Sequence, residues 1–127
     1  MPRRLFAVVP LLSVMGLLFF LSHHPGDAFS LPDIVNLDKL LHCLAYGVLA
    51  ATALFAVDPD YRCRRPLASC IGVVLFCLLY GISDEIHQSF IPGRMPSCWD
   101  ILADVIGALL TVTLWFNQRR RFARIAL

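Results

Sequence analysis

Asp38 and His42 stand four residues apart, with Lys39 three before the histidine, and later in the chain Asp84, Glu85, His87 and Gln88 arrive almost together. On a helix, residues four apart share a face. At about 100° per residue, His87, Asp84, Gln88 and Glu85 fill one arc of roughly 160°, while Ile86 and Phe90 fall on the opposite side. Asp100 and Asp104 are again four apart, and Arg94 lies just before them. An imidazole beside a carboxylate can act as a general base, so His42 oriented by Asp38 is one catalytic candidate, with Asp84 and Glu85 the others. Asp84 and Glu85 are also candidate ligands for a divalent cation that activates water or a phosphoryl group. Lys39 and Arg94 offer charge-assisted hydrogen bonds to phosphate. The candidate binding set is therefore Asp38, Lys39, His42, Asp84, Glu85, Gln88, Arg94, Asp100 and Asp104. No sharp nucleophile motif and no HExxH spacing accompanies them, so the sequence assigns no reaction.

Taken as a unit, Asp38, Asp84, Glu85, Asp100 and Asp104 are five acids against two cations, Lys39 and Arg94. Where the dielectric is below that of water, such an excess is relieved by carboxyls that stay protonated, by a bound cation or cationic ligand, or by loops that splay the charges apart. Trp99 reads as an interfacial anchor, His23 and His24 as loop residues, and His87 as a solvated residue at the rim of the polar arc. Asp104 is the deepest acid, and an acid below the interface is costly without a partner.

The elements that must position these residues are apolar. The chain has 127 residues, 58% hydrophobic and 16% charged, with mean hydropathy +0.71, which is too apolar for an ordinary soluble domain. Four segments carry the excess, at about 5–21, 38–57, 67–83 and 100–116. Their apolar cores of about 16 to 18 residues span roughly 24 to 27 Å as helix, slightly short of a hydrocarbon core of about 30 Å. Backbone groups in lipid need internal partners. The expected fold is thus all-α, a four-helix transmembrane bundle forming a single membrane domain over 1–127 with a short basic tail at 117–127. The first segment reads as a span rather than a cleaved signal, being longer than the usual apolar region of about 7 to 15 residues and lacking a small-x-small cleavage pattern.

Nine of the eleven basic residues fall near the start, in the loop 61–65 or in the tail, which the four-span model gathers on one side. The positive-inside rule makes that side, with both termini, cytoplasmic, and the tail is expected on anionic headgroups. The candidate site then faces outward, on helices 2, 3 and 4, with helix 1 mostly scaffold. Ser30 and Asp33, with Pro32, have the spacing to open the second helix. Pro92 and Gly93 suit the centre of a tight turn, and Ser97 with Asp100 has capping-box spacing for the fourth helix. Asp100, Asp104, Gly107, Ala108 and Thr111 form one stripe, whose small residues allow close helix approach and so carry both aspartates inward. The five cysteines have no CxxC spacing: Cys43, Cys63, Cys70 and Cys77 read as packing residues, and Cys98 reaches the outer side, where a disulfide to Cys43 is the minor alternative. Ion conduction is disfavoured, since no ionisable residue continues toward the cytoplasmic half beyond Asp104 and His42.

The string Asp84, Glu85, His87, Gln88, Phe90, Gly93, Arg94, Ser97, Asp100, Asp104, Gly107 resembles the DE-x-x-Q-x-F … GR … D … G signature of the VanZ-like family of small bacterial membrane proteins. Asp38, Lys39 and His42 are similar to its upstream D-K-x-x-H element, so the resemblance covers about 38–107. One departure is Asp104, where family members often carry Asn. The resemblance implies a multi-pass protein of the bacterial cytoplasmic (inner) membrane and cell envelope, in a family named for resistance to the lipoglycopeptide teicoplanin. Two functions are carried forward. One is an extracytoplasmic polar pocket for a lipid headgroup, a lipid-linked cell-wall precursor or another amphiphilic ligand. The alternative is a metal- or His-dependent hydrolase or transferase acting on a lipid-linked substrate. The expected partners are membrane lipids, not nucleic acid; no cofactor is assigned beyond a divalent cation as an open option.

Overall fold

The computed structural model describes residues 2–25 and 35–125, and every regular element among them is helical. The helices are α1 (Pro2–Ser22), α2 (Leu37–Ala56), α3 (Pro59–Arg64), α4 (Pro66–Gln88) and α5 (Cys98–Ile125). Three segments, Leu37–Ala56, Pro66–Gln88 and Cys98–Arg121, are long and apolar enough to cross a membrane. The apolar part of α1, Phe6–Ser22, is shorter. At about 1.5 Å per residue it measures roughly 25 Å. Large apolar side chains remain exposed all along the outer faces, among them Leu12, Leu44, Leu79 and Leu114. In water these would be a liability; against lipid tails they are the expected surface.

Two boundaries differ from the sequence expectation. Ser30, Pro32 and Asp33 lie outside the described residues, and α2 itself begins at Leu37, behind Asn36 in the left-handed region at φ 62°. Asparagine tolerates that conformation better than most residues. At the other end, α5 does not stop near 116 but continues through Arg119, Arg120 and Arg121 to Ile125. No proline or glycine follows Gly107 to break it, and arginine and glutamine are good helix formers.

The short helix α3 takes up most of the loop expected at 61–65. The Asp58 carboxylate accepts from the N–H groups of Asp60 and Tyr61, each at 3.1 Å, and Pro59 occupies the first helical turn. Arg62 Nη1 donates to the Leu54 carbonyl at 2.5 Å, and its guanidinium lies 5.7 Å from the Trp115 ring centroid. Arg119 donates to the Cys63 carbonyl. The basic end is therefore clamped by its own arginines, which satisfy carbonyls left over at the ends of α2 and α3.

The apolar core comprises Tyr46, Leu49, Ala50, Ala53, Leu54, Cys70, Val73, Cys77, Ala108 and Val112. The most extensive packing is between α2 and α5, and small residues make it close. A methyl built on Gly107 would land on the Cys43 carbonyl oxygen, with the carbonyl carbon at 2.9 Å, while one on Gly47 would meet Thr111 Oγ1 at 3.3 Å. Thr111 Oγ1 donates to the Gly47 carbonyl at 3.1 Å. The stripe expected from spacing thus faces the bundle, and its register fixes which polar residues of α2 and α5 meet. All five cysteines are free, Cys43 and Cys98 included.

Candidate functional site

The C-terminal ends of α1 and α4 and the N-terminal ends of α2 and α5 converge, and six of the seven buried polar or charged residues among the described ones collect there: Ser22, Asp84, Glu85, Gln88, Asp100 and Asp104. On α4 the predicted polar arc is realised. Asp84, Glu85 and Gln88 are buried, His87 is half-buried, and Ile86 and Phe90 point outward. The helix ends into a turn in which the Arg94 N–H donates to the Ile91 carbonyl at 3.2 Å. Pro92 and Gly93 occupy its centre, with Gly93 at φ 75°, the positive value that a type II turn asks of its third residue.

Glu85 and Asp84 face different neighbours, as consecutive helical residues must. Glu85 Oε2 accepts the Ser97 N–H at 2.7 Å, and Ser97 Oγ accepts the Trp99 N–H at 3.2 Å. The capping box read from Ser97 and Asp100 is completed from α4 instead, with Glu85 in the acidic role. This leaves Asp100 to face α2, where Lys39 Nζ lies 3.3 Å from its Oδ1. Lys39 is held more closely by Asp38, at 2.8 Å. Asp84 turns the other way, accepting from Gln88 Nε2 at 3.0 Å, and Gln88 Nε2 also reaches Ser22 Oγ at 3.4 Å.

The partner of His42 is Asp104 rather than Asp38: His42 Nδ1 and Asp104 Oδ1 are 3.0 Å apart, across 62 residues of sequence. The physical reason is burial. The Asp38 side chain is 53% exposed and already paired with Lys39, whereas Asp104 is 1% exposed and needs a hydrogen-bond donor. Gly81 makes the space for it, since a methyl there would come within 2.7 Å of Asp104 Oδ2. Tyr46, fully buried one turn below His42, stacks at 6.5 Å between ring centroids and its hydroxyl has no protein partner. Neither Gly81 nor Tyr46 stood out in the sequence. The only available signal for Tyr46 was its position four residues after His42, which places the two on one face.

α1 is more than scaffold. With Asp38, Leu41, His42, Ala45, Tyr46, Asp84, Gln88 and Arg94, its residues Leu18, Leu21 and Ser22 line a cavity of about 260 Å³. Arg94 Nε donates to the His24 carbonyl at 3.1 Å and its Nη2 to the Leu21 carbonyl at 3.0 Å, satisfying carbonyls at and just beyond the C-terminal end of α1 as a cation there should. Tyr80 donates to the Met15 carbonyl at 2.7 Å. His23 Nδ1 lies 3.2 Å from His87 Nε2, with Phe19 against the His87 ring. His23, in the turn that follows α1 as expected, thus ties α1 to α4 through His87.

A group of side chains able to coordinate a divalent metal is present. It comprises His42, Glu85 and Asp100, each offering one ligand atom within 4.8 Å of the others. Asp84, a metal candidate from sequence, is not in that group; it faces the cavity. Four sequence candidates thus gather around one junction of α2, α4 and α5: His42, Glu85, Asp100 and Asp104. Asp38, Asp84, Gln88 and Arg94 line the adjoining cavity, with His42 common to both. Lys39 closes the junction from outside.

An all-α, membrane-type helical protein with a polar, metal-competent site gathered at one end of the bundle is the class that fold and site define. The chain belongs to the VanZ/LLP1 family, whose model matches residues 6–120. It is similar to the uncharacterized protein C11E3.10 of Schizosaccharomyces pombe (strain 972 / ATCC 24843), at 28% identity over 118 residues that cover 91% of this chain and 69% of the relative. No solved structure matches it.

Proposed function

We propose that the protein is a four-span protein of the bacterial cytoplasmic membrane, with both termini cytoplasmic, whose outer end binds the headgroup region of an amphiphile. The observation that carries this is the cavity between α1, α2 and α4, with Leu18, Leu21, Leu41 and Ala45 contributing apolar wall and Asp38, His42, Asp84, Gln88 and Arg94 the polar part. That mixture matches a molecule with one greasy and one polar end. At about 260 Å³ the cavity is below the roughly 300 to 1,000 Å³ of sites that enclose drug-sized ligands. It suits a headgroup and the first carbons of a chain whose remainder stays in the bilayer. The polar lining is rich in acceptors, while Lys39 is paired with Asp38 and Asp100 and Arg94 gives two of its five N–H donors to the carbonyls of α1. Hydroxyl-rich or amine-bearing headgroups are therefore favoured, a lipid-linked cell-wall precursor among them. The family's link to teicoplanin, itself an amphiphile, is compatible with such a site.

Protein extracted in mild detergent is expected to retain an amphiphile detectable by mass spectrometry. Ala45→Phe, which places a ring in the cavity, should release it without loss of helicity. Equal retention by both chains would remove the cavity from consideration. The second reading, a hydrolase or transferase, is favoured by the 3.0 Å contact between His42 and Asp104. An imidazole so oriented presents its other nitrogen as a base. It differs from the first in requiring turnover of the retained molecule and its loss in His42→Ala.

A further inference from the structure

We infer that His42, Glu85 and Asp100 form a binding site for one divalent transition-metal ion, for which Lys39 is the competing cation. The three ligand atoms lie within 4.8 Å of one another. With metal–ligand bonds of about 2.0 to 2.2 Å, opposite donors in a filled site stand at most about 4.4 Å apart. Small side-chain rotations therefore close the set, with no movement of the helices.

Two buried oxygens point to a cation. Glu85 is 4% exposed; its Oε2 takes the Ser97 N–H, but its Oε1 accepts no hydrogen bond from the protein. Asp100 is 8% exposed, and its Oδ1 has only the Lys39 ammonium, 3.3 Å away and held more closely by Asp38. A buried carboxylate oxygen left without a donor is costly. The third ligand is prepared differently. Asp104 engages His42 Nδ1 at 3.0 Å, so the tautomer that donates there leaves the Nε2 lone pair free. A carboxylate holding the far nitrogen of an imidazole is the arrangement that supports metal-bound histidines elsewhere.

The donor set fixes the class of ion. Calcium and magnesium favour all-oxygen sites, whereas an imidazole with two carboxylates suits Mn²⁺ or Zn²⁺. Lys39 does not satisfy the cluster alone. Its ammonium is closer to Asp38, at 2.8 Å, and its side chain is one-third exposed. A single positive charge thus serves Asp38 and Asp100 with Glu85 behind them, and a divalent ion meeting Glu85 and Asp100 would release it toward Asp38.

This goes beyond amphiphile binding and is tested with metal alone, so either can fail separately. The full-length protein, stripped with chelator in detergent, is titrated with Mn²⁺ while free Mn²⁺ is read by electron paramagnetic resonance, with Zn²⁺ as competitor. A single saturable site that Zn²⁺ displaces is expected. Glu85→Gln and Asp100→Asn should each weaken it at least about tenfold. Lys39→Met, which removes a like charge, should tighten it by about tenfold. The Lys39→Met chain keeps the test decisive if a carboxylate variant fails to fold. Absence of a saturable site in wild type, affinity unchanged in either folded carboxylate variant, or affinity unchanged or weakened in Lys39→Met overturns the assignment.

Discussion

Alanine at position 107 is expected to destabilise the protein more than alanine at any other glycine of the described helices. The added methyl would fall on the Cys43 carbonyl oxygen, with the Cys43 carbonyl carbon at 2.9 Å and Cα at 3.1 Å. All three are backbone atoms, so no side-chain rotation relieves the clash. Only separation of α2 from α5 does. Overpacking that forces backbone movement costs typically 1 to 3 kcal/mol, and about 3 kcal/mol or more is expected here. Because His42 rides on α2 and Asp100 and Asp104 on α5, the same movement should disperse the polar site. Gly47→Ala, whose methyl would meet the movable Thr111 hydroxyl at 3.3 Å, is the milder comparison, and Gly16→Ala, with open space around it, should be close to neutral. Unfolding of the detergent-solubilised variants, followed by circular dichroism, ranks the three. A Gly107→Ala chain as stable as Gly16→Ala would place the α2–α5 crossing elsewhere.

The second large effect is at Asp104, and it depends on what replaces the carboxylate. Leucine removes the acceptor for His42 Nδ1, leaving a largely buried imidazole nitrogen without a partner. That costs about 1 to 3 kcal/mol, and Mn²⁺ affinity should fall about 10- to 100-fold as His42 loses its orientation. Asparagine is expected to behave quite differently. Its amide oxygen can still accept from Nδ1, and the Oδ2 that accepts no hydrogen bond in wild type is replaced by a neutral group. Removing a formal charge from so deep a position relieves desolvation, so Asp104→Asn should unfold within about 1 kcal/mol of wild type, on either side. Unfolding and Mn²⁺ titration on the same three chains check it; equal metal affinity in wild type and Asp104→Leu would show that the contact is structural only.

The sequence made faces legible and left pairings hidden. The buried arc of Asp84, Glu85 and Gln88, the inward stripe from Asp100 to Thr111 and the Pro92–Gly93 turn all follow from local rules, namely 3.6 residues per helical turn and the positive φ that glycine permits. Which faces meet, and at what height, does not follow from those rules. Sequence alone pairs His42 with Asp38, both on α2, yet its partner is Asp104, brought level by the close contact of Gly107 with Cys43. Spacing alone makes Asp100 the cap partner of Ser97, and Glu85 takes that place because α4 ends beside the start of α5. Arg94 also gives two of its donors to open carbonyls of α1, which are invisible in sequence because every helix end has them. For the same reason the contribution of α1 to the cavity could not be seen in a run of leucines and phenylalanines.

The most direct test of an amphiphile-binding outer end is photo-crosslinking in nanodiscs doped with a phosphatidylglycerol carrying a diazirine close to its glycerol. Tryptic mapping is expected to place the adducts on residues 18–22 and 41–46, around the cavity, and to find them largely lost in Ala45→Phe. Adducts spread over the outward faces, at Leu79 and Leu114 as much as at Leu18 and Leu41, and unchanged by Ala45→Phe, would contradict a dedicated site and leave lipid as solvent alone.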